Sequence, residues 1–117
     1  MKQKGSCHCG KVSFEVELDL NSEPALICNC SMCQRKGTAL RFVPDSQFQL
    51  LSGEGQMTDY QFGKKTIHHL FCSTCGVTAF ASGQMPDGTK IKAINVRCLE
   101  NVDMGKLQTH SVDGKNF

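Results

Sequence analysis

Cys7-His8-Cys9-Gly10-Lys11-Val12-Ser13-Phe14-Glu15-Val16-Glu17-Leu18 joins two signals in one stretch. Val12, Phe14, Val16 and Leu18 alternate with Lys11, Ser13, Glu15 and Glu17, and a period of two over eight residues predicts a half-buried β-strand. Immediately before it stands a Cys-x-Cys pair bounded by Gly5-Ser6 and Gly10, a turn that presents two thiols. The stretch reads as a β-domain tied together through sulfur, and the rest of the chain extends both signals.

Further strands are expected at Ala25 to Ile27, Ala39 to Val43 (stopped by Pro44), Phe48 to Leu51, Met57 to Phe62, Ile67 to Phe71, Val77 to Ala81 and Ile91 to Leu99. Asn21-Ser22-Glu23-Pro24, Ser52-Gly53-Glu54-Gly55, Gly63-Lys64-Lys65 and Met85-Pro86-Asp87-Gly88 punctuate them as turns. A helical turn or two is expected only around Asn101 to Gln108, and the tail Ser111 to Phe117 reads as irregular. Many short strands between Gly, Pro, Asn and Asp turns predict an all-β fold, and 117 residues without repeat or linker predict one domain over 1–117.

The core is modest, with seven Phe, one Tyr and no Trp, so a bound metal would supply part of the folding free energy; structural zinc contributes on the order of 10 kcal/mol in small domains. A net charge of +2 and no basic run longer than two residues argue against nucleic acid as partner. No stretch has the apolar length of a membrane span. Met1 to Ser6 has no apolar h-region, so a cytoplasmic location is expected.

Eight cysteines remain to be placed. They fall into Cys7/Cys9, the fused run Cys28-Asn29-Cys30-Ser31-Met32-Cys33, Cys72-Ser73-Thr74-Cys75-Gly76, and Cys98 alone. Tight Cys-x-Cys and Cys-x-x-Cys spacing suits a metal better than long-loop disulfides. Thiolates hold zinc in a tetrahedron at about 2.3 Å. Two distant pairs, Cys7/Cys9 and Cys72/Cys75, would saturate one ion as a structural site. The trio Cys28, Cys30 and Cys33 would hold a second ion and leave its fourth position to water or a substrate, the arrangement that does chemistry. Spacing alone also allows Cys72/Cys75 to join the trio, or His8, His68, His69 or Cys98 to close it.

Cys98, beside Val96 and Ile94, reads as a small buried hydrophobe. His68 and His69 point to opposite faces of their strand, so one at most can face a given metal. Arg35 and Lys36 leave the trio loop as two positive charges, available to an anionic substrate or simply solvated. A metal-free redox role for Cys72-x-x-Cys75 is disfavoured, because no βαβ pattern surrounds it.

Gly5-Ser6-Cys7-His8-Cys9-Gly10-Lys11-Val12, Cys28-Asn29-Cys30-Ser31-Met32-Cys33 and Phe71-Cys72-Ser73-Thr74-Cys75-Gly76 resemble the glutathione-dependent formaldehyde-activating enzyme / centromere protein V family. Leu51-Ser52-Gly53-Glu54, Tyr60-Gln61-Phe62 and Ile94-Asn95-Val96-Arg97-Cys98-Leu99 support the likeness, which spans nearly the whole chain. The resemblance implies a β-tent fold of packed antiparallel sheets and two zinc ions per chain. It places a structural ion on Cys7, Cys9, Cys72 and Cys75 and a catalytic one on Cys28, Cys30 and Cys33. It implies a carbon–sulfur lyase that handles glutathione and formaldehyde as S-hydroxymethylglutathione. Cys33-Gln34-Arg35-Lys36-Gly37 and Tyr60-Gln61-Phe62 look closer to the centromere protein V-like branch, so a non-enzymatic zinc module for a thiol or protein partner stands as the alternative.

Overall fold

Phe14 and Val16, the apolar positions of the alternating stretch, are sealed from solvent at 0% and 1% exposure. Their strand β2 (Ser13–Glu17) lies between β1 (Lys2–Ser6) and β5 (Phe48–Ser52) in an antiparallel three-stranded sheet. The second sheet holds β3 (Ala25–Cys28), β4 (Leu40–Pro44), β6 (Met57–Tyr60), β7 (Ile67–Cys72), β8 (Phe80–Gln84), β9 (Lys90–Asn95) and β10 (Thr109–Val112). Its order is β10-β3-β4-β9-β8-β7-β6. This computed structural model describes residues 1–63 and 65–116; the turn expected at Lys64 and the tail end expected at Phe117 lie outside the described residues.

The two sheets meet through aromatic rings. Phe14 and Phe48 come from the small sheet and Phe80 from the large one, with ring centroids 5.4, 6.2 and 4.6 Å apart for the pairs 14/48, 14/80 and 48/80. Ile94, Val96, Val12 and Val16 complete the buried layer around them. The all-β architecture is the one the alternation implies. One pair departs from the antiparallel expectation: β10 runs parallel to β3 at the edge of the large sheet.

Four local differences have physical causes. The first is β1, whose Lys-Gln-Lys-Gly-Ser sequence carries no apolar stripe. It is an edge strand held by its ladder to β2 and by Lys2 and Lys4 at 3.7 and 3.8 Å from Glu15. The second is β10, also an edge strand, where only Val112 is half-buried.

The third lies at the end of β9, which stops at Asn95 instead of running to Leu99. The buried Asn95 amide accepts from Ala39 N–H and Arg97 N–H, both at 3.3 Å, and donates to Thr78 C=O at 2.8 Å. These bonds cap a 3₁₀ turn, Val96–Cys98, in place of further strand.

The fourth is helical. Asn101 to Gln108 forms turns, and the α-helix among the described residues, α1 (Ser31–Lys36), lies in the three-thiol loop. Six residues are too few to carry a period of 3.6. The strand expected at Val77 to Ala81 is shifted along the chain and runs from Phe80 to Gln84, the one expected at Met57 to Phe62 ends at Tyr60, and Pro44 closes β4 from inside it. No helix among the described residues is long and apolar enough to cross a membrane.

Because Phe14 fills the junction between the sheets, Phe14→Ala should cost about 3–5 kcal/mol in urea unfolding followed by circular dichroism. A loss below about 1 kcal/mol would show that the junction does not depend on this ring.

Candidate functional site

The β1–β2 connection is a tight turn. Gly10 N–H donates to Cys7 C=O at 3.3 Å, Cys7 N–H donates to Val12 C=O at 2.9 Å, and Val12 N–H points at Cys7 Sγ at 3.4 Å. The turn after β7 repeats the design, with Gly76 N–H on Cys72 C=O at 2.8 Å and Cys72 N–H on Val77 C=O at 3.0 Å. Gly10 and Gly76 sit at φ of 83° and 80°, the left-handed conformation that lets each turn close under its sulfurs. Lys11 Nζ reaches Thr74 Oγ1 at 3.2 Å and holds the two turns face to face.

Cys7, Cys9, Cys72 and Cys75 thereby gather with all four sulfurs within 4.8 Å of one another. Cys7 and Cys9 Sγ are 3.7 Å apart, and Cys9 and Cys72 Sγ 3.6 Å. Disulfide sulfurs bond at about 2.05 Å, whereas sulfurs at 2.3 Å from a common zinc stand about 3.8 Å apart. All eight cysteines are free. Hydrogen bonds from the Cys9 and then the Val77 backbone hold the Cys75 thiol down at about 6, which favours its thiolate form. The donor set fits a divalent, thiophilic ion such as zinc.

The trio is built differently. Cys28 ends β3, Cys30 is the N-cap of α1, and Cys33 lies in its first turn. Cys33 N–H donates to Cys30 Sγ at 3.3 Å and Cys30 N–H to Cys28 Sγ at 3.5 Å, so the helix start folds around its own thiols. The three sulfurs lie within 4.8 Å of one another. Burial pushes the Cys33 thiol up to about 12, reinforced by its hydrogen bond with Cys30 and the charges of Cys30 and Cys28. Three thiolates crowded together repel, and a bound cation removes that repulsion, so this set also fits a metal ion.

The C-terminal segment braces the trio. Asn29 N–H donates to Val112 C=O at 3.1 Å, the Asn29 side chain donates to Asp113 Oδ1 at 2.8 Å, and Lys115 N–H returns to Asn29 Oδ1 at 3.0 Å. These contacts lay Gly114 against Cys28, where a Cβ on residue 114 would stand 2.3 Å from the sulfur.

Beside the trio opens a cavity of about 410 Å³, and Cys28, Cys30 and Cys33 all line it. Leu26, Leu40, Ala81 and Ala93 form its walls, from four strands of the large sheet. Phe42, Phe62 and Ile67 stand at the mouth, each exposed by 42–50%. The polar side chains of the lining are Lys36, Thr38, His69 and Thr78. Lys36 donates to Thr78 Oγ1 at 2.6 Å and lies 5.0 Å from the Phe71 ring centroid.

A family model described as glutathione-dependent formaldehyde-activating enzyme matches residues 2–111. The chain belongs to this family. A crystal structure of a Rhodobacter sphaeroides protein has the same fold at a TM-score of 0.77 and 35% identity, covering 92% of this chain and 99% of that one. The family match ends before Gly114, so the contact that braces Cys28 lies beyond it.

Within the family's frame, the two pairs of ambiguous charges separate. Arg35 turns back to donate to Ser31 C=O at 3.0 Å and stays exposed, while Lys36 enters the cavity. His68 Nδ1 bonds Asp59 Oδ2 at 2.7 Å on the outer face, while His69 lines the cavity and stacks on Phe62 at 5.1 Å. Cys72/Cys75 lies with Cys7/Cys9 and apart from the trio. Among the described residues, none of His8, His68, His69 and Cys98 joins the trio's sulfurs.

Cys98 is half-buried at 3.6 Å from Thr78 C=O, and burial pushes its thiol up to about 11. Thr38, Thr78, Gly114 and the apolar walls were not legible as site residues. Lys36 and His69 each carried a signal, as one member of the pairs Arg35/Lys36 and His68/His69.

Native mass spectrometry of zinc-reconstituted protein should find two ions per chain, and one in Cys30→Ser. Gly114→Ala should weaken the second ion by about 10–100-fold and leave the first in place. Loss of both ions together, or of neither, would contradict two independent sites.

Burial first, then the nearby Lys36 charge, hold the His69 imidazole below the ordinary histidine range. Its folded state therefore takes up its proton later than the unfolded chain does. Its contribution to stability is full above about pH 6.5 and is lost as pH falls through the lowered folded value. An NMR titration should give a His69 midpoint below 6.5, and a midpoint at or above that value would contradict its burial.

Proposed function

We propose that the chain holds two zinc ions, a structural one on Cys7, Cys9, Cys72 and Cys75 and a second on Cys28, Cys30 and Cys33. The second site binds a small thiol and makes or breaks the thiol's aldehyde adduct, a carbon–sulfur lyase activity of the formaldehyde-activating type. The observation that carries this reading is the opening of three convergent thiols into a cavity, with no fourth protein ligand among the described residues. A closed architectural site would be capped by a side chain and would need no cavity.

Zinc at the trio would supply the positive charge that lowers the pKa of an incoming thiol and holds its sulfur. The chain's own residues do the rest. The N–H groups of Cys30 and Cys33 are spent on Cys28 and Cys30 sulfur, which fixes the direction in which the trio faces. Lys36 offsets the excess negative charge of three thiolates from one side. His69, kept neutral by its surroundings, is the base available in the cavity.

In the condensation direction the thiol sulfur bonds to the carbonyl carbon and the C=O π bond breaks. The thiol proton, taken by His69, ends on the new hydroxyl oxygen. In the lyase direction the C–S bond breaks, the carbonyl re-forms, and the hydroxyl proton returns to sulfur. The apolar walls exclude water, which strengthens each of these charge interactions.

Zinc-loaded protein is to be mixed with formaldehyde and either glutathione or phenylmethanethiol, with adduct formation followed by NMR. The reading expects a rate above background with at least one thiol, falling about 100-fold or more in Cys30→Ser and about 10–100-fold in His69→Gln. Rates equal to those of Cys30→Ser with both thiols would remove the enzymatic reading and leave a zinc-binding module.

A further inference from the structure

Wall composition and charge in the cavity point to the identity of the thiol. Leu26, Leu40, Ala81, Ala93 and Val112 present five apolar side chains from five strands of one sheet. The mouth is apolar too: Phe42, Phe62 and Ile67 are large hydrophobic side chains left 50%, 42% and 47% exposed. Exposed apolar groups gathered at the entrance of an apolar cavity are what a greasy ligand would cover.

The polar inventory is short. Among the described lining residues Lys36 is the one Lys or Arg, and none is Asp or Glu. Three thiolates around a divalent ion carry one net negative charge, which Lys36 balances. Its ammonium is already committed to Thr78 and to the face of Phe71. Arg35, its neighbour, is folded back on the helix and adds nothing to the cavity.

Glutathione would bring two carboxylates and an ammonium. Its arms would have to pass Phe42, Phe62 and Ile67, where no described lining residue offers a second cation. A carboxylate pressed against such walls loses its water and gains no donor. A thiol whose body is hydrocarbon meets no such cost and removes the exposed rim from water.

We infer that the cavity selects an apolar thiol, alkyl or aryl and uncharged apart from its sulfur, over glutathione. This rests on the reading of the trio as a thiol site. Phe62 and Ile67 are the specificity-determining residues, acting at the mouth while Cys28, Cys30 and Cys33 take the sulfur. A ligand of benzyl size fits well within the 410 Å³ available.

The test is calorimetric titration of zinc-loaded protein with phenylmethanethiol, glutathione and phenylmethanol, repeated on Cys30→Ser and on the double variant Phe62→Ser/Ile67→Ser. The rim side chains are substantially exposed, so the double variant should keep the fold; its circular dichroism and zinc content check this. Phenylmethanethiol is expected to bind at least about tenfold tighter than glutathione, and the double variant to lose about tenfold for phenylmethanethiol with no change for glutathione. Glutathione binding as tightly as phenylmethanethiol, or a rim variant that weakens both equally, would overturn the selectivity and spare the thiol site. Phenylmethanethiol binding no better than phenylmethanol, with no change in Cys30→Ser, would overturn the thiol site and this proposal with it.

Discussion

Four sulfurs from two sheets meet at one point, and the rest of the molecule is arranged around that meeting. Cys7 and Cys9 follow β1 in the small sheet, while Cys72 ends β7 in the large one and Cys75 follows it. The sheets share a thin core, centred on Phe14, Phe48 and Phe80. Without a cation, the thiols would repel one another wherever they ionised. With one, the same groups become a cross-link that a 117-residue chain with no Trp can use in place of a larger core.

The trio follows the opposite logic. Its sulfurs come from consecutive local structure, the end of β3 and the first turn of α1, so they need no distant partner to converge. What is distant is the support. The parallel strand β10 brings Asp113 and Gly114 to Asn29 and Cys28, and the Asn29 hydrogen bond, then that of Asn116, holds the Asp113 carboxyl below the usual carboxylate range. Local ligands on a long-range brace make a compact site whose free side faces the cavity. That geometry separates the cluster gathered from two sheets from the one that opens on a cavity.

Much of this was legible in the residues. Thiol pairs report themselves through spacing, because two or three residues fix how close two sulfurs can come. The strand β2 reports itself through alternation, because one of its faces is buried. Edge position alone does not hide a strand, since β5 and β6 are edges too; β1 and β10 carry no apolar stripe and give no such signal. The helix α1 was hidden by its brevity, and the end of β9 was set by the Asn95 side chain, whose reach to Ala39 and Thr78 is tertiary. Sequence named the pairs Arg35/Lys36 and His68/His69 but could not choose within them. The choice follows from which side of a six-residue helix and of β7 faces the cavity. Gly114 gave no local signal, since what it touches lies over eighty residues earlier.

The central claim is that one sulfur set is saturated and the other offers a position to a small molecule. Zinc-edge X-ray absorption on protein carrying two zinc ions per chain reads this directly. The account predicts an average of about 3.5 sulfurs per zinc at about 2.3 Å with a light-atom remainder, rising to about 4 when an apolar thiol is added. A value of 4 before any thiol is added, or a histidine scattering pattern that thiol leaves unchanged, would mean the trio is closed by the protein, and would contradict it.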